Sequence, residues 1–463
     1  MATEMNTALL FCTLLFTFCC HLDTGKAALY NYGEALHKSI LFYEVQRSGY
    51  LEKNRVPYRS HSAMDDKGRA GEDLTGGWYD AGDHMKFGLP MAASTTNIAW
   101  GMLMYRQAYE HLHIWNETLA QLKWPLDYFI KCHVAPEEFY FQVGDGPSDH
   151  AYWGRPEEMT MDRPPYKLDI NTTGSDVAGE TAAAMAAGSV IYQEDDAEYS
   201  ATLLEHAREL FTFAMTYRGI YPFLGYYEST GFGDELALAA CWLYIATREP
   251  QYLTEAESLY IEYNLKKKAW AYAWNDKSPA VQLLLSNLTE KIDHTYTSDF
   301  KTYLNTWLPG GGIPYTPLGL VYRSSWGPLR YAANGAMLGL IAADFGIRES
   351  VYRDFAYSQI NYILGDAVRS YVVGFGNNPP ERPHHRSSSC PDYPEPCDWA
   401  QHKDPDPNPQ IAYGALVGGP DINDNFVDDR TDFRSNEVAC DFNAGFQSAL
   451  AGIVYHEIPS ETP

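Results

Sequence analysis

Positive charge is scarce in this sequence. Its 463 residues carry 34 Lys and Arg against 60 Asp and Glu, a formal net charge of −26, with a sequence pI of about 4.8. A surface of that sign repels polyphosphates and anionic lipid, so neither nucleic acid nor a membrane is expected as a partner. Long apolar runs are equally scarce. One of them, ALLFCTLLFTFCC at residues 8–20, stands at the start of the chain and is too short to span a bilayer comfortably. It reads as part of a signal peptide over residues 1–27, cleaved near Gly25 to Ala28. The residues before it, MATEMNT, have no Lys or Arg, which keeps an uncleaved anchor as the alternative. Cysteine is sparse too. Of eight, Cys12, Cys19 and Cys20 lie in the leader, leaving Cys132, Cys241, Cys390, Cys397 and Cys440. An odd number leaves at least one free thiol in a secreted monomer. Cys390 and Cys397 share a proline-rich loop and are the expected disulfide. Cys241 and Cys440 sit in helical patterns and are expected as buried thiols. No Cys/His spacing reads as a zinc site. Low-complexity linkers, strict repeats and any tail resembling a carbohydrate-binding module are missing as well. Length allows two or three domains, but one domain from 28 to 463 is the expectation.

Aromatics are what the chain has in quantity: 35 Tyr, 20 Phe and 11 Trp, 14% of the residues. Those not needed for the core would suit the apolar faces of sugars. Apolar residues recur at helical spacing through most of the chain, as in Ile98, Met102, Tyr105, Tyr109 and Leu112, or Leu203, Ala207, Leu210 and Ala214. About twelve helices are predicted, with few alternating strands. Long loops rich in Gly, Pro and aromatics join them, notably residues 53–90, 135–175, 309–327 and 366–436. Loops of that length in a compact chain are usually functional or disordered, and their Trp, Tyr and His content argues against disorder. Asn116, Asn171 and Asn287 open glycosylation sequons, weak support for secretion.

The densest chemistry lies at residues 74–91, LTGGWYDAGDHMKFGLPM. Asp80 and Asp83, with His84 beside them, can hold and deprotonate a water or bind a metal. The plainer alternative is a glycine-rich turn with Asp80 capping the next helix. Residues 149–157, DHAYWGRPE, offer His150 and Trp153 as ligand contacts or as ordinary loop residues. In YYESTGFGDE at 226–235, backbone carbonyls with Thr230, Asp234 and Glu235 can surround a hard cation such as calcium; equally, Asp234 and Glu235 can simply favour a helix N-terminus. Trp326 and Tyr331 stand at a loop-to-helix junction as core or as a sugar platform. SYVVGFGNNPPERPHHR, at 370–386, ends in His384, His385 and Arg386; the histidines are candidate hydrogen-bond donors to a substrate, and the arginine can fork two hydrogen bonds onto it. NFVDDRTDFRSNEVACDFNAGF, at 425–446, carries Asp428, Asp429, Asp432 and Glu437. Glu437 is read as opening a helix whose following turns are buried. Partial desolvation there raises a carboxyl pKa and keeps its proton near neutrality. The alternative is a solvated acidic loop.

The strings GGWYDAGDHMKFGLPMA, NNPPERPHHR and DDRTDFRSNEVACDFNAGF, in this order, resemble glycoside hydrolase family nine, the endo-β-1,4-glucanases, and most of all its animal secreted members. The resemblance runs from about residue 30 to 453. It implies an all-α (α/α)₆ barrel whose long loops form an open substrate cleft, and endo-acting, inverting hydrolysis of β-1,4-glucan. It assigns Asp83 as base, Asp80 as holder of the water and Glu437 as acid, with His384 and Asp428 as active-site residues. His150, Tyr226, Trp274, Trp326, Tyr331 and Arg386 become substrate contacts, and Trp153 is added to them from the aromatic character of its own loop. Thr230, Gly231, Asp234, Glu235 and Asp276 become ligands of a structural calcium; no organic cofactor is implied. Departures from the family pattern are Phe442 where Tyr is usual, Thr230 for Ser, and Ala280 for Gly near Asp276. Mixed-linkage or exo-acting glucan hydrolysis, and glycan binding without catalysis, are the alternatives carried forward.

Overall fold

The computed structural model describes residues 29–289 and 295–459. The expected signal peptide and its three cysteines lie outside the described residues. Among those described, twelve helices of ten residues or more follow one another: α1 (Tyr32–Val45), α2 (Gly88–Met104), α3 (Trp115–Cys132), α4 (Ser175–Tyr192), α5 (Ala197–Thr216), α6 (Gly233–Thr247), α7 (Pro250–Glu262), α8 (Ser278–Leu288), α9 (Thr295–Leu304), α10 (Pro328–Asp344), α11 (Glu349–Asn361) and α12 (Cys440–Glu457). They alternate in burial. All of α4 except Val190, and all of α10 except Asp344, is buried. α5 instead buries one stripe, including Leu203, Ala207, Leu210 and Ala214. A helix buried all round belongs inside and a striped one outside.

The contacts agree. α2, α4, α6, α8, α10 and α12 each pack on the next, and α12 returns to α2, closing a ring. Around it, α5 lies on α4, α7 on α6, α9 on α8, α11 on α10 and α1 on α12. The fold is an (α/α)₆ barrel. Small residues let the inner helices approach closely. A Cβ on Gly101 of α2 would fall 2.3 Å from Ser448 Oγ of α12, and one on Gly445 of α12 would fall 2.1 Å from Asn334 Oδ1 of α10. Some polar groups in this core are paired with one another. Gln121 and Gln447 exchange bonds of 2.9 and 3.0 Å.

A small antiparallel sheet accompanies the barrel: β1 (Lys86–Phe87), β2 (His133–Ala135), β3 (Glu138–Val143) and β4 (Pro165–Leu168), with β3 paired to the other three. The sequence hides β3 because its residues are buried on both faces, which leaves no period-two alternation. β1 runs directly into α2, so the Asp80–Asp83 loop is tied to the inner ring. Cys390 and Cys397 form the expected disulfide. Cys132, Cys241 and Cys440 are buried thiols. One expectation is corrected: Glu437 does not open a helix. α12 starts at Cys440, and Glu437 lies upstream in extended backbone, bridged in parallel to His384.

Candidate active site

Each long loop that precedes an inner helix contributes to one cleft of about 590 Å³. Asp80, Asp83 and Phe87 come from the approach to α2, His150 from that to α4, Tyr226 and Tyr227 from that to α6, Trp274 from that to α8, Trp326 from that to α10, and His384, Phe433 and Glu437 from that to α12. In a ring of parallel inner helices these approaches all fall at one end.

Backbone bonds lock the three carboxylate-bearing segments together. The Cys440 amide donates to Asp80 O (2.8 Å), the Arg386 amide to Gly82 O (3.1 Å), and the His384 amide to Asn436 O (2.8 Å). Gly82, between the two aspartates, has no space for a side chain: a Cβ there would lie 2.1 Å from the His384 carbonyl oxygen. The base-candidate loop thus rests directly on the histidine segment, and that segment on the strand carrying Glu437.

The electrostatics follow from this crowding. Burial and the nearby Asp83 and Asp441 charges push the Glu437 carboxyl up to about 8, against the opposing Arg386 and Arg330 guanidiniums. Glu437 therefore keeps a proton at neutral pH. Burial, then Asp83, also pushes Asp80 well up, while the Tyr227 hydroxyl, which donates to Asp80 Oδ2, opposes the shift. His150 Nε2 stands 3.5 Å from Asp83 Oδ2, and its other nitrogen meets the Tyr226 hydroxyl at 2.7 Å. The hydrogen bond to Asp83 raises the pKa of His150. Asp83 Oδ1 is buried with no hydrogen-bond partner, which leaves that oxygen available as a base.

His384 faces the cleft as a neutral ring, held down at about 4 chiefly by burial. Its Nδ1 lies 2.7 Å from Arg430 O. A carbonyl can only accept, so Nδ1 carries the proton and Nε2 a lone pair. His384 offers a substrate hydroxyl an acceptor, which corrects the donor expected from sequence. His385 is buried against Gln46 and Ser388. Around these groups stand aromatic faces. Trp326 is 42% exposed and packs on Phe433, and Trp274 meets Tyr227 edge-on.

Comparison with known proteins matches these elements to a single family. The sequence profile described as Glycosyl hydrolase family 9 matches residues 32–450. The chain belongs to glycosyl hydrolase family 9. It is 45% identical to Endoglucanase A of Bacillus pumilus over 94% of its own length and 68% of that protein's. Endoglucanase B of Cellulomonas fimi is likewise 45% identical, with 94% of this chain matching 43% of that one. Among solved structures, the endoglucanase of the termite Nasutitermes takasagoensis superimposes with a TM-score of 0.90 at 50% identity, covering 92% of this chain and 99% of the other. The cellulase Cel9M of C. cellulolyticum, solved in complex with cellobiose, gives a TM-score of 0.87 at 37% identity, covering 92% and 99%.

Within this family 9 chain, four of the expected site residues stand behind the cleft wall. Trp153 is 3% exposed, and its indole donates to Ser389 Oγ (2.9 Å) while its face meets the His384 edge. Arg386 is also 3% exposed and donates to Asp149 Oδ2 (2.5 Å). Asp428 accepts from the backbone amides of Glu381 (2.8 Å) and Arg382 (3.0 Å), bracing the loop that leads to His384. Tyr331, 8% exposed, accepts from Arg330 (2.8 Å). Trp153 and Tyr331 are buried with their polar atoms on protein partners, Asp428 is held by backbone amides, and Arg386 spends one guanidinium nitrogen on Asp149. Conversely, Tyr227, Arg330 and Phe433 line the cleft without having been singled out from sequence. Each sits one or a few residues from one that was, and YYES already contained the Tyr227 signal.

The candidate calcium ligands are also brought together in part. Asp234 accepts from the Lys277 amide (2.6 Å), and the Lys277 ammonium lies between Glu180 (3.1 Å) and Glu235 (3.5 Å). Burial, then the charge of Asp234, pushes Asp276 up to about 6 and Glu235 well up. Glu235 Oε2 is buried without a partner. Glu180 and Glu235 thus share one ammonium, with Asp234 on the Lys277 amide beside them and Asp276 on the Ser278 amide. The donor set is of the hard oxygen type that calcium takes, with one oxygen orphaned, although these carboxylates do not converge as closely as the groups at His133 and Asp83.

Proposed function

We propose that this chain cuts internal β-1,4-glucosidic bonds of cellulose and related β-glucans with inversion at the anomeric carbon. The observation that carries this reading is that Asp83 and Glu437 line one aromatic cleft while their environments separate their roles. Glu437 holds its proton to about pH 8, and Asp83 presents an unpartnered oxygen. A glucan chain lies against Trp326, Trp274 and Tyr226. Asp83 takes a proton from water, and that water's oxygen bonds to C1. As the C1–O4 bond breaks, Glu437 gives its proton to the leaving O4. An inverting pair needs room for the water between sugar and base. His384 accepts from a sugar hydroxyl, and Asp80 with Tyr227 orients the water.

Calcium held by Thr230, Gly231, Asp234, Glu235 and Asp276 would fix the loop bearing Tyr226 and Tyr227, supplying charge balance rather than chemistry. The 50% identity to the termite enzyme supports the animal type, and the apolar run near the start of the chain supports export through residues 1–27; a monomer belongs to the same proposal. N-terminal sequencing of the exported chain tests this and should begin near Ala28.

The decisive assay pairs viscosity with reducing-end release on soluble cellulose derivatives. Early viscosity loss is expected, with Asp83→Asn and Glu437→Gln each slowing both signals about 10²–10⁴-fold. Reducing ends released without viscosity loss would establish exo action instead. Unchanged turnover in both variants would remove the proposed mechanism.

A further inference from the structure

His133, His206 and Glu209 form a second cluster of ligating groups, and none of them lines the cleft. His133 caps the end of α3 and begins β2. His206 and Glu209 lie three apart on α5, a spacing that puts both on one face of a helix. The structure closes a gap of 73 residues between the two histidines, which is why local spacing in the sequence gave no metal signature.

The geometry at His133 is unusual for a structural histidine. The residue is 6% exposed. Its Nδ1 lies 2.8 Å from His206 Nδ1, so two ring nitrogens meet head to head with one proton between them. Its Nε2 points toward Glu209, 3.9 Å from Oε2, and is buried with no hydrogen-bond partner. Donor atoms of all three residues fall within 4.8 Å of one another. Chiefly through burial, the His133 pKa lies near 4 and that of His206 is lowered as well. Neutral imidazole is the form that ligates metal. Glu209 supplies one negative charge, and Glu205 adds to the local field on His206.

We propose that His133, His206 and Glu209 bind one divalent zinc ion, with water completing the coordination. Two imidazoles and a carboxylate are an ordinary zinc donor set. Tetrahedral Zn–N bonds of about 2.0–2.1 Å place neighbouring ligand atoms roughly 3.3 Å apart. The paired nitrogens thus need to open by about half an ångström, and His206, on the partly exposed face of α5, is the ring that moves. Zinc takes the place of the shared proton between the two Nδ1 atoms, and each neutral ring then carries its proton on Nε2, where that of His133 faces Glu209. The ion would staple the α3–β2 corner to α5, two elements of the outer wall that otherwise meet mainly through α4. It takes no part in hydrolysis.

The test uses the untagged mature enzyme, saturated with calcium, dialysed against zinc and assayed for bound metal by mass spectrometry. Wild type should hold one zinc per chain. His206→Ala and Glu209→Gln should each weaken binding at least about tenfold while leaving turnover on soluble cellulose unchanged. At a hundred times its dissociation constant, zinc should raise Tm by about 3 °C in wild type and not in either variant. Cobalt substituted for zinc should give tetrahedral visible absorption in wild type alone. Asp83, Asp149 and His150 form the other cluster able to take a metal. Zinc bound there would inhibit hydrolysis and persist in both variants. That outcome overturns the proposal, as does the absence of zinc binding, which would leave the histidines a simple hydrogen-bonded pair.

Discussion

Replacing Glu437 by Gln should destroy activity and stabilise the protein, and the stabilisation should grow with pH. The Glu437 pKa stands at about 8 in the folded chain against an ordinary 4.5. A raised carboxyl pKa means that the native state binds more protons than the unfolded state between those values, so folding stability falls as pH rises through that window. Each unit corresponds to about 1.36 kcal/mol. The penalty carried by Glu437 is therefore near zero at pH 4.5, about 3 kcal/mol at pH 7 and about 4 kcal/mol at pH 8. Gln has similar shape and no ionisation, so it escapes this cost. For a chain of this size, 1 kcal/mol moves Tm by about 1 °C. Calorimetry of both proteins at matched calcium from pH 4.5 to 8.5 should show curves that coincide in acid and separate by about 4 °C at pH 8. A constant offset, or a variant less stable at pH 8, would refute the claim that this carboxyl is held protonated by its surroundings.

Other consequences are as direct. Asp441 is the second charge that raises Glu437, and it pairs with Arg330 at 2.6 Å. Removing one nearby like charge lowers a carboxyl pKa by on the order of one unit. Asp441→Asn should then move the alkaline limb of kcat/KM down by about one pH unit; an unmoved limb would contradict it. Gly82→Ala forces the aspartate loop off the His384 carbonyl. A misplacement of about 1 Å should cost turnover about 10²-fold, with full secondary structure by circular dichroism. Chelating calcium should lower Tm by several degrees and calcium should restore it, whereas Asp276→Asn should abolish the restoration.

The parts legible in sequence were those written locally. Helical periodicity set the number of helices, and the short strings around Asp83, His384 and Glu437 marked the site. All three strings meet in the folded cleft. What escaped depends on ring closure. Phe433 and Arg330 become cleft residues only because the approaches to α10 and α12 converge. Trp153 looks like a ligand contact in sequence, yet Ser389 takes its indole N–H, and Asp149 takes one guanidinium nitrogen of Arg386. The start of α12 was placed too early because the buried residues after Glu437 continue the helical pattern backwards into extended chain. β3 lacked alternation, and the His133–His206 pair spans two outer helices.

The central claim is that Asp83 delivers water to the face of the sugar opposite the bond that Glu437 helps to break. Proton nuclear magnetic resonance during the first turnovers on a defined cello-oligosaccharide reads this directly. New reducing ends should appear first as the α-anomer and then mutarotate. First appearance as the β-anomer would mean retention through a covalent intermediate, and the roles given to these two carboxylates would fail.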